Sequence, residues 1–259
     1  MKVEFQSKET KIQLSKTDPY TTLEMSIVVP VYNEEKNIEE ALRRIQAFQS
    51  LKKEPWECLI VNDGSTDRTE AITRAAIAAQ PESHFKLLSN PSNHGKGFAV
   101  RQGVLAVSGR FILVTDADLS APIKELDKLT KALNEGYDIA IGSRALKSPG
   151  GDVQQSFKRW LAGRIFNGVV RTLALRGISD TQCGFKCFKK QAAHELFRAQ
   201  KLDGFSFDVE VLRLAQKRGL RIKEVPVMWR QARDSRVRLF HDSLKMVRDL
   251  FYLRRTACV

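Results

Sequence analysis

The sequence predicts an α/β fold with a mostly parallel central β-sheet flanked by helices. Short apolar runs recur along the chain, as expected for strands that are covered on both faces. Between these runs, apolar residues repeat every three to four positions, which is typical of one buried helix face. Alternating strands and helices favour a parallel sheet with crossover helices. With 259 residues, of which 42% are apolar, the chain is long enough for one large domain or two small ones.

The alternation begins near residue 25 and is regular in the first half of the chain. The apolar runs predict strands over 26–31, 58–61, 85–88, 111–115 and 138–141. The helical spacing predicts helices over 34–48, 97–107 and 122–133. Residues 1–24 are polar and weakly patterned, so we interpret them as an N-terminal arm.

The pattern changes after Arg144. We predict an amphipathic helix over 157–175, a short strand over 184–188, a helix over 207–218 and a strand over 221–229. A second amphipathic helix near 239–253 ends the pattern. These elements predict one domain over residues 25–235, followed by a basic amphipathic helix over residues 236–259.

The net charge of +13 is concentrated in the second half of the chain. Residues 143–176 contain seven basic residues and one acidic residue, and residues 221–259 contain ten basic and four acidic residues. Such asymmetry favours anionic partners such as phosphates or acidic lipids. Helices 157–175 and 239–253 could lie at a membrane interface or pack on the core, since periodicity does not separate the two. The basic residues accompany no helix-turn-helix or RNP-like motif, so we predict no nucleic-acid partner.

The four cysteines, at positions 58, 183, 187 and 258, form no C-x-x-C pair. Reduced thiols in a cytosolic compartment are the simplest interpretation. The N-terminal residues lack the apolar region of a signal peptide, and no run of 18 apolar residues occurs. We therefore expect a cytoplasmic protein with no membrane-spanning segment.

Asp116 and Asp118 follow directly after the predicted strand 111–115. Alternate side chains of an extended chain point the same way, so both carboxylates can converge just past the strand end. In open α/β sheets, ligands bind outside the carboxyl ends of strands. Two hard oxygen ligands there suit Mg²⁺ or Mn²⁺ bound to a diphosphate. The alternative is a simple turn, because Asp is common in turns.

Three further polar clusters follow predicted strands or precede a helix: residues 30–34, 63–65 and 93–97. Asp63 could accept a hydrogen bond from a nucleobase or could close an Asx turn. Lys96 and the backbone N–H groups around it could face a nucleotide, although a glycine cluster also marks an ordinary turn. Neither G-x-G-x-x-G nor G-x-x-x-x-G-K-[ST] occurs, which argues against dehydrogenases and P-loop proteins.

The motifs together resemble those of family 2 glycosyltransferases with the GT-A fold. The residues that carry the resemblance are VPVYNE (29–34), VNDGSTD (61–67), GKG (95–97), TDADL (115–119) and GSR (142–144). DTQCGFK (180–186) and FDVE (207–210) are most similar to those of polyprenyl-phosphate sugar synthases, first the dolichyl-phosphate β-glucosyltransferases and next the mannosyltransferases. The resemblance covers roughly residues 25–253.

This resemblance implies a role for each matching residue. The nucleotide would be held by Pro30, Tyr32, Glu34, Asp63, Lys96 and Asp116. Asp116 and Asp118 would bind the metal, Mg²⁺ or Mn²⁺, and the diphosphate. Ser120 stands where some relatives have an amide ligand, so we expect no third protein ligand from this position.

The catalytic and acceptor residues follow from the same resemblance. Arg144 would face a phosphate, and Asp180 and Gln182 would lie near the sugar. Asp180 and Asp208 are the candidates for a general base, and either could instead be structural. The loop over the site would contribute Arg230, Arg233 and Arg236.

The implied reaction is inverting transfer of a hexose, in the first instance glucose from UDP-glucose, onto a polyprenyl or dolichyl phosphate. The alternatives are GDP-mannose as donor, a soluble family 2 transferase with a saccharide acceptor, and a catalytically inactive scaffold of the same fold. The lipid acceptor implies a peripheral location on the cytoplasmic face of a membrane. The oligomeric state cannot be inferred from the sequence.

Overall fold

The computed structural model describes residues 23–146, 153–154, 175, 177–230, 248–249 and 252–253. Most of the predicted arm 1–24, of the helix 157–175 and of the helix 239–253 lies outside the described residues. Leu175 is described, and it is buried and not helical.

A seven-stranded sheet forms the centre of the domain, with strand order β3-β2-β1-β4-β7-β5-β8. All neighbouring strands are parallel except those that pair with β7. The mostly parallel sheet is therefore confirmed. Its strands are β1 (Met25–Val31), β2 (Trp56–Asn62), β3 (Phe85–Ser89), β4 (Phe111–Val114), β5 (Ile139–Ser143), β7 (Lys186–Lys189) and β8 (Ile222–Pro226). A separate parallel pair is formed by β6 (Val153–Gln154) and β9 (Trp229–Arg230).

The antiparallel strand β7 lies between β4 and β5, and it begins at the edge of the sheet where β4 and β5 end. Its first residue, Lys186, pairs with Val114 of β4 and with Ile141 of β5. The segment that leads into β7 therefore arrives at the carboxyl edge of the parallel strands. This reversal brings residues 180–185 to the same edge as the residues after β4 and β5.

Among the described residues, six α-helices cover the two faces of the sheet. They are α1 (Ile38–Gln49), α2 (Thr69–Ala79), α3 (Lys96–Ala106), α4 (Leu126–Asn134), α5 (Lys190–Ala199) and α6 (Phe207–Lys217). The buried side chains of α1 and α4 share one apolar cluster with Ile27 and Val29 of β1. Those of α3, α5 and α6 share the opposite cluster with Val28. Alternate residues of one strand thus enter two separate cores.

Several predicted boundaries were wrong. Helix α1 begins at Ile38 rather than at Glu34, because residues 34–37 form turns that start from Asn33 in the left-handed region (φ 56°). The strand predicted over 221–229 is divided into β8 and β9. Strand β8 ends at Pro226, and the N–H of the next residue, Val227, donates to the Ser143 carbonyl of β5. Helix α5, which follows β7 directly, was not predicted.

The described residues near the C-terminus pack on the domain. Residues 248–249 and 252–253 are helical, and Leu253 is buried in the same cluster as α6. The Ser206 hydroxyl, just before α6, donates a hydrogen bond of 2.8 Å to Asp249. Among the described residues, no helix has both the length and the apolar content that a bilayer crossing requires. Whether the helix 239–253 also meets a membrane stays a prediction.

Candidate active site

The candidate site lies at the carboxyl edge of the sheet, beside β1 and β4. The chain passes from β1 to β2 and β3 on one side, and β4 then pairs on the other side of β1. Such a reversal of strand order opens a crevice at the carboxyl ends of the neighbouring strands. The segments after β1, β2, β4 and β5 meet at this crevice.

Asp116 and Asp118 stand in a tight turn directly after β4. Leu119 adopts a positive φ of 43°. Ser120 donates two hydrogen bonds of 2.9 Å to Asp118, one from its backbone N–H and one from its hydroxyl. Burial and the neighbouring charge of Asp116 raise the pKa of Asp118, although the Ser120 hydrogen bonds act in the opposite direction. Asp118 therefore closes a turn and also places a second negative charge beside Asp116.

A lysine ammonium group occupies one side of this carboxylate pair. Lys96, the first residue of α3, lies 2.6 Å from Asp116 Oδ1. Burial would lower the pKa of Lys96, but the charges of Asp116 and Asp208 outweigh it and raise that pKa. The predicted nucleotide-facing lysine thus contacts the predicted metal ligand. The Asp116 carboxylate is accessible to a cation in this geometry.

Gly184 lies directly against the Asp116 carboxylate. A Cβ atom built at Gly184 would stand 2.1 Å from Asp116 Oδ2. Because no side chain fits in this space, glycine is required for the carboxylate to keep its place. The sequence contained Gly184 within the 180–186 motif but did not indicate its contact with Asp116.

Arg144 and Asp180 form a bidentate ion pair near the Asp116 carboxylate. Arg144 Nε and Nη2 each lie 2.7 Å from an Asp180 oxygen, and the Arg144 backbone N–H donates to the same carboxylate. Glu224 accepts hydrogen bonds of 2.9 Å from the backbone N–H groups of Ser179 and Asp180. Burial alone would raise the pKa of Asp180, but Arg144 outweighs it and lowers that pKa below its ordinary value. Asp180 is therefore held as a carboxylate by Arg144.

A second buried ion pair lies close to Lys96 and Asp116. Lys186 Nζ is 2.6 Å from Asp208 Oδ1 and 2.6 Å from the Cys183 carbonyl oxygen. Both side chains are almost fully buried. Burial raises the pKa of Asp208 although Lys186 and Lys96 act to lower it. Both predicted base candidates, Asp180 and Asp208, are thus bound to cationic side chains in this structure.

On the other side of the crevice, Asp63 holds a loop in place. Its carboxylate accepts hydrogen bonds from the Asn90 amide (2.9 Å) and from the backbone N–H groups of His94 (3.1 Å) and Gly95 (2.7 Å). The buried Asp63 therefore fixes the segment that leads into Lys96. Its predicted contact with a nucleobase stays a prediction.

The loops after β1 and β2 are joined by reciprocal hydrogen bonds. Asn33 Oδ1 accepts from the backbone N–H of Thr66 (2.7 Å), and the Asn33 N–H donates to the Ser65 hydroxyl (2.8 Å). The Asp67 carboxylate accepts from the backbone N–H groups of Glu35 (3.2 Å) and Thr69 (2.9 Å). These residues form what we call the loop clip: Asn33, Glu35, Ser65, Thr66, Asp67 and Thr69. The local sequence pattern does not predict the clip, because the hydrogen bonds between its two loops join residues more than 30 positions apart.

Comparison with known proteins identifies the family of this chain. The profile of the family described as "Glycosyl transferase family 2" matches residues 26–197. The chain belongs to glycosyl transferase family 2. The similar proteins include a dolichyl-phosphate beta-glucosyltransferase of Dictyostelium discoideum, 34% identical over 92% of this chain and 76% of the relative. The one of Drosophila melanogaster is 36% identical over 90% of this chain and 74% of the relative.

The fold of this family 2 member is also shared by solved structures. A glucosyl-3-phosphoglycerate synthase from Mycobacterium tuberculosis in complex with UDP has a TM-score of 0.68 and 22% identity, covering 90% of this chain and 80% of that one. Another structure of that synthase, with Mn²⁺, UDP and glucosyl-3-phosphoglycerate, has a TM-score of 0.68 and 20% identity, covering 95% and 88%. These likenesses confirm the predicted GT-A fold.

The two aspartates of this family 2 member suit a divalent cation. No group of three or more His, Cys, Asp or Glu side chains that could hold a metal occurs among the described residues. Asp116 and Asp118 nevertheless supply hard oxygen ligands, and their mutual repulsion is relieved by a cation. Mg²⁺ and Mn²⁺ commonly bind one or two carboxylates together with substrate phosphates. The residues therefore fit a metal whose coordination a diphosphate completes.

The remaining predicted site residues differ in how exposed they are and in which groups they contact. Tyr32 is 40% exposed at the rim, and Pro30 is partly buried at the end of β1. The Glu34 carboxylate accepts from the Asn37 amide at 2.6 Å. Gln182 has a buried Nε2 that makes no hydrogen bond within the described part of the chain.

Of the three predicted loop arginines, only Arg230 lies among the described residues. Its side chain is exposed, and its backbone N–H donates to the Ser120 carbonyl at 2.9 Å. Arg233 and Arg236 lie outside the described residues. The segment that contains Arg230 is thus tied to the turn that carries Asp118.

Proposed function

We propose that this family 2 member is an inverting glucosyltransferase that moves glucose from UDP-glucose onto a polyprenyl phosphate of the dolichyl type. One observation carries the proposal: the chain is 34–36% identical, over about nine-tenths of its length, to several dolichyl-phosphate beta-glucosyltransferases. The assembly of Asp116, Asp118, Arg144 and Asp180 at one sheet edge supports it, since transfer from a nucleotide sugar needs these charges together.

In this proposal the nucleotide lies along the loops after β1 and β2. Asp63 and Tyr32 contact the base and ribose, and the loop clip keeps both loops in register. The diphosphate reaches Asp116 and Asp118, which would hold Mg²⁺ or Mn²⁺. The metal, when bound, neutralises charge that develops on the leaving diphosphate. Lys96 is close enough to Asp116 to interact with the same phosphates.

The transfer forms one bond and breaks one. An oxygen of the acceptor phosphate attacks the anomeric carbon from the face opposite the nucleotide. The bond from that carbon to the diphosphate oxygen breaks, and its electron pair leaves with UDP. Arg144, already fixed by Asp180, places a permanent positive charge where phosphate charge must be stabilised. In-line displacement inverts the anomeric centre.

The acceptor phosphate makes a strong general base unnecessary. A phosphate monoester has a second pKa near 6, so it is largely ionised at neutral pH. Asp180 and Asp208 are each engaged with a cationic side chain, which agrees with structural and electrostatic roles. We therefore propose that neither carboxylate removes a proton from the acceptor.

A lipid acceptor also requires the protein to work at a membrane surface. The basic second half of the chain would be attracted to anionic lipids. We propose a peripheral location on the cytoplasmic face, with Arg230, Arg233 and Arg236 near the lipid phosphate.

The experiment is transfer of radiolabel to polyprenyl phosphate in the presence of Mg²⁺, with UDP-glucose and GDP-mannose compared in the same assay. The proposal predicts lipid-extractable label from UDP-glucose alone, and none when EDTA is added. Label from GDP-mannose alone would replace the glucosyl assignment with a mannosyl one. The absence of lipid-linked label from either donor would contradict the lipid acceptor.

A further inference from the structure

We propose that Trp229 is a positioning residue, whose indole ring fixes the guanidinium group of Arg144 for the phosphate of a substrate. The proposal deepens the proposed function and rests on it for its catalytic consequence. The contact between Arg144 and Trp229 does not depend on that function, so it can be tested without a transfer reaction.

The Arg144 guanidinium contacts two neighbouring groups. Asp180 binds the edge formed by Nε and Nη2, with both distances at 2.7 Å. Arg144 Cζ also lies over the Trp229 ring, 4.8 Å from the ring centre. Contact with an aromatic face leaves guanidinium N–H groups available for hydrogen bonds. Within the described residues Nη1 makes no hydrogen bond, so it retains its donors for an anion.

Trp229 is itself anchored to both charged parts of the site. Two residues before it, the Val227 N–H donates to the carbonyl of Ser143, the neighbour of Arg144, at 3.3 Å. One residue after it, the Arg230 N–H donates to the carbonyl of Ser120 at 2.9 Å. Ser120 in turn holds the Asp118 carboxylate. The segment 227–230 therefore links the end of β5 to the turn after β4.

This anchoring gives the ring a function beyond packing. The bidentate pair with Asp180 fixes two donors of the Arg144 guanidinium, and contact with the ring limits how the guanidinium plane tilts about that pair. The backbone hydrogen bonds on either side of Trp229 relate the ring to the end of β5 and to the turn that carries Asp118. Because preorganised charge stabilises a transition state without reorganisation, loss of the ring should slow the chemical step more than it weakens donor binding.

A matched control lies at the other end of β5. Tyr137, just before β5, is covered by Arg221, with 4.7 Å from Arg221 Cζ to the ring centre. This pair has the same chemistry as the Arg144–Trp229 pair but lies at the amino edge of the sheet, away from the carboxylates. Tyr137→Leu therefore removes cation–aromatic contacts of the same kind, with Arg221 and with Lys223, without touching the site.

The kinetic test compares wild type, Trp229→Leu, Trp229→Phe and Tyr137→Leu, with kcat and both KM values measured for each. We expect Trp229→Leu to lower kcat about tenfold with less than threefold change in donor KM, in line with a partly buried cation–aromatic contact. Trp229→Phe, which keeps a ring, should recover most of the loss, and Tyr137→Leu should stay within about twofold of wild type. Equal loss in the Leu and Phe variants, or no loss in Leu, would overturn the proposal. Should Trp229→Leu fail to fold, Trp229→Met takes its place as the ringless variant.

A second readout separates this proposal from the proposed function. The ¹⁵N NMR signal of the Arg144 Nε–H group, assigned by its loss in Arg144→Lys, reports how firmly the side chain is held. The proposal predicts a sharp signal in wild type and Trp229→Phe and a broadened one in Trp229→Leu. An unchanged signal in Trp229→Leu would overturn the positioning role. If wild type transfers no glucose, the proposed function fails, and this signal alone decides the role of Trp229.

Discussion

The two sides of the crevice are built from different interactions. On the side of β1 and β2, the loop clip joins two loops mainly through hydrogen bonds between short polar side chains and backbone N–H groups. On the side of β4, β5 and β7, three ion pairs converge: Lys96–Asp116, Arg144–Asp180 and Lys186–Asp208. We call this second set the charged side.

The difference indicates that the two sides of the crevice have different roles. Hydrogen bonds to backbone groups fix the shape of the two loops, which suits recognition of a nucleoside. The charged side keeps each of its carboxylates beside a cation, so these anions are already compensated before a substrate arrives. Substitutions on the charged side should therefore change the rate of the reaction or the free energy of unfolding. Substitutions in the loop clip should change the affinity for the donor.

The largest effect is expected from removing one metal-site charge. Asp118→Asn keeps the shape of the side chain but removes the negative charge that a divalent cation needs, so we expect a loss of about 1,000-fold or more in kcat/KM. The control is Asp127→Asn, because Asp127 is an exposed residue of α4 that pairs with Lys52 away from the site. Undiminished Mg²⁺-dependent turnover by Asp118→Asn would contradict the metal assignment.

The next effect tests the close approach of Gly184 to Asp116. Gly184→Ala forces the carboxylate to move, and displacement of a reacting group by about 1 Å can cost about 100-fold in rate. Gly103→Ala is the matched control, because its Cβ would instead crowd Val28 and Val61 in the core. We expect Gly184→Ala to lose activity more than stability, and Gly103→Ala to do the reverse. Thermal unfolding and initial rates of both variants decide this.

The buried pair Lys186–Asp208 should dominate stability on the charged side. Lys186→Met leaves Asp208 buried without its cation, which we expect to cost about 3–5 kcal/mol in the free energy of unfolding. The double variant Lys186→Met with Asp208→Leu leaves no unpaired charge and should be more stable than Lys186→Met alone. Urea unfolding measures both. Additive losses in the double variant would show that the two side chains act independently.

The smallest effect is expected from the loop clip. Asn33→Ala removes an acceptor for the Thr66 N–H, and a hydrogen bond of this kind is worth about 1 kcal/mol. We expect the KM for UDP-glucose to rise about fivefold while kcat changes less. A fall in kcat with unchanged donor KM would remove the distinction between the two sides.

The sequence predicted those parts of the molecule that depend on neighbouring residues. Strand β4 and the carboxylates after it could be predicted because a strand and its next few residues form one local pattern. Asp63 was recognised, but the hydrogen bonds that its carboxylate accepts come from residues 90–95 and are not those of a local Asx turn.

The charged side could not be predicted in the same way. Lys186 reaches Asp208 only because β7 runs antiparallel between β4 and β5, and nothing in its sequence fixes that direction. Gly184 contacts Asp116 for the same reason, across nearly 70 residues of chain. Trp229 meets Arg144 only because β8 ends early, at a proline. These contacts depend on register between distant segments.

The central claim is that Asp116 and Asp118 form a divalent-metal and diphosphate site. Electron paramagnetic resonance of Mn²⁺, titrated into the protein with and without UDP, tests it most directly. We predict one tightly bound Mn²⁺ per chain when UDP is present, and loss of that binding in both Asp116→Asn and Asp118→Asn. Equal Mn²⁺ affinity in wild type and both variants would contradict the claim.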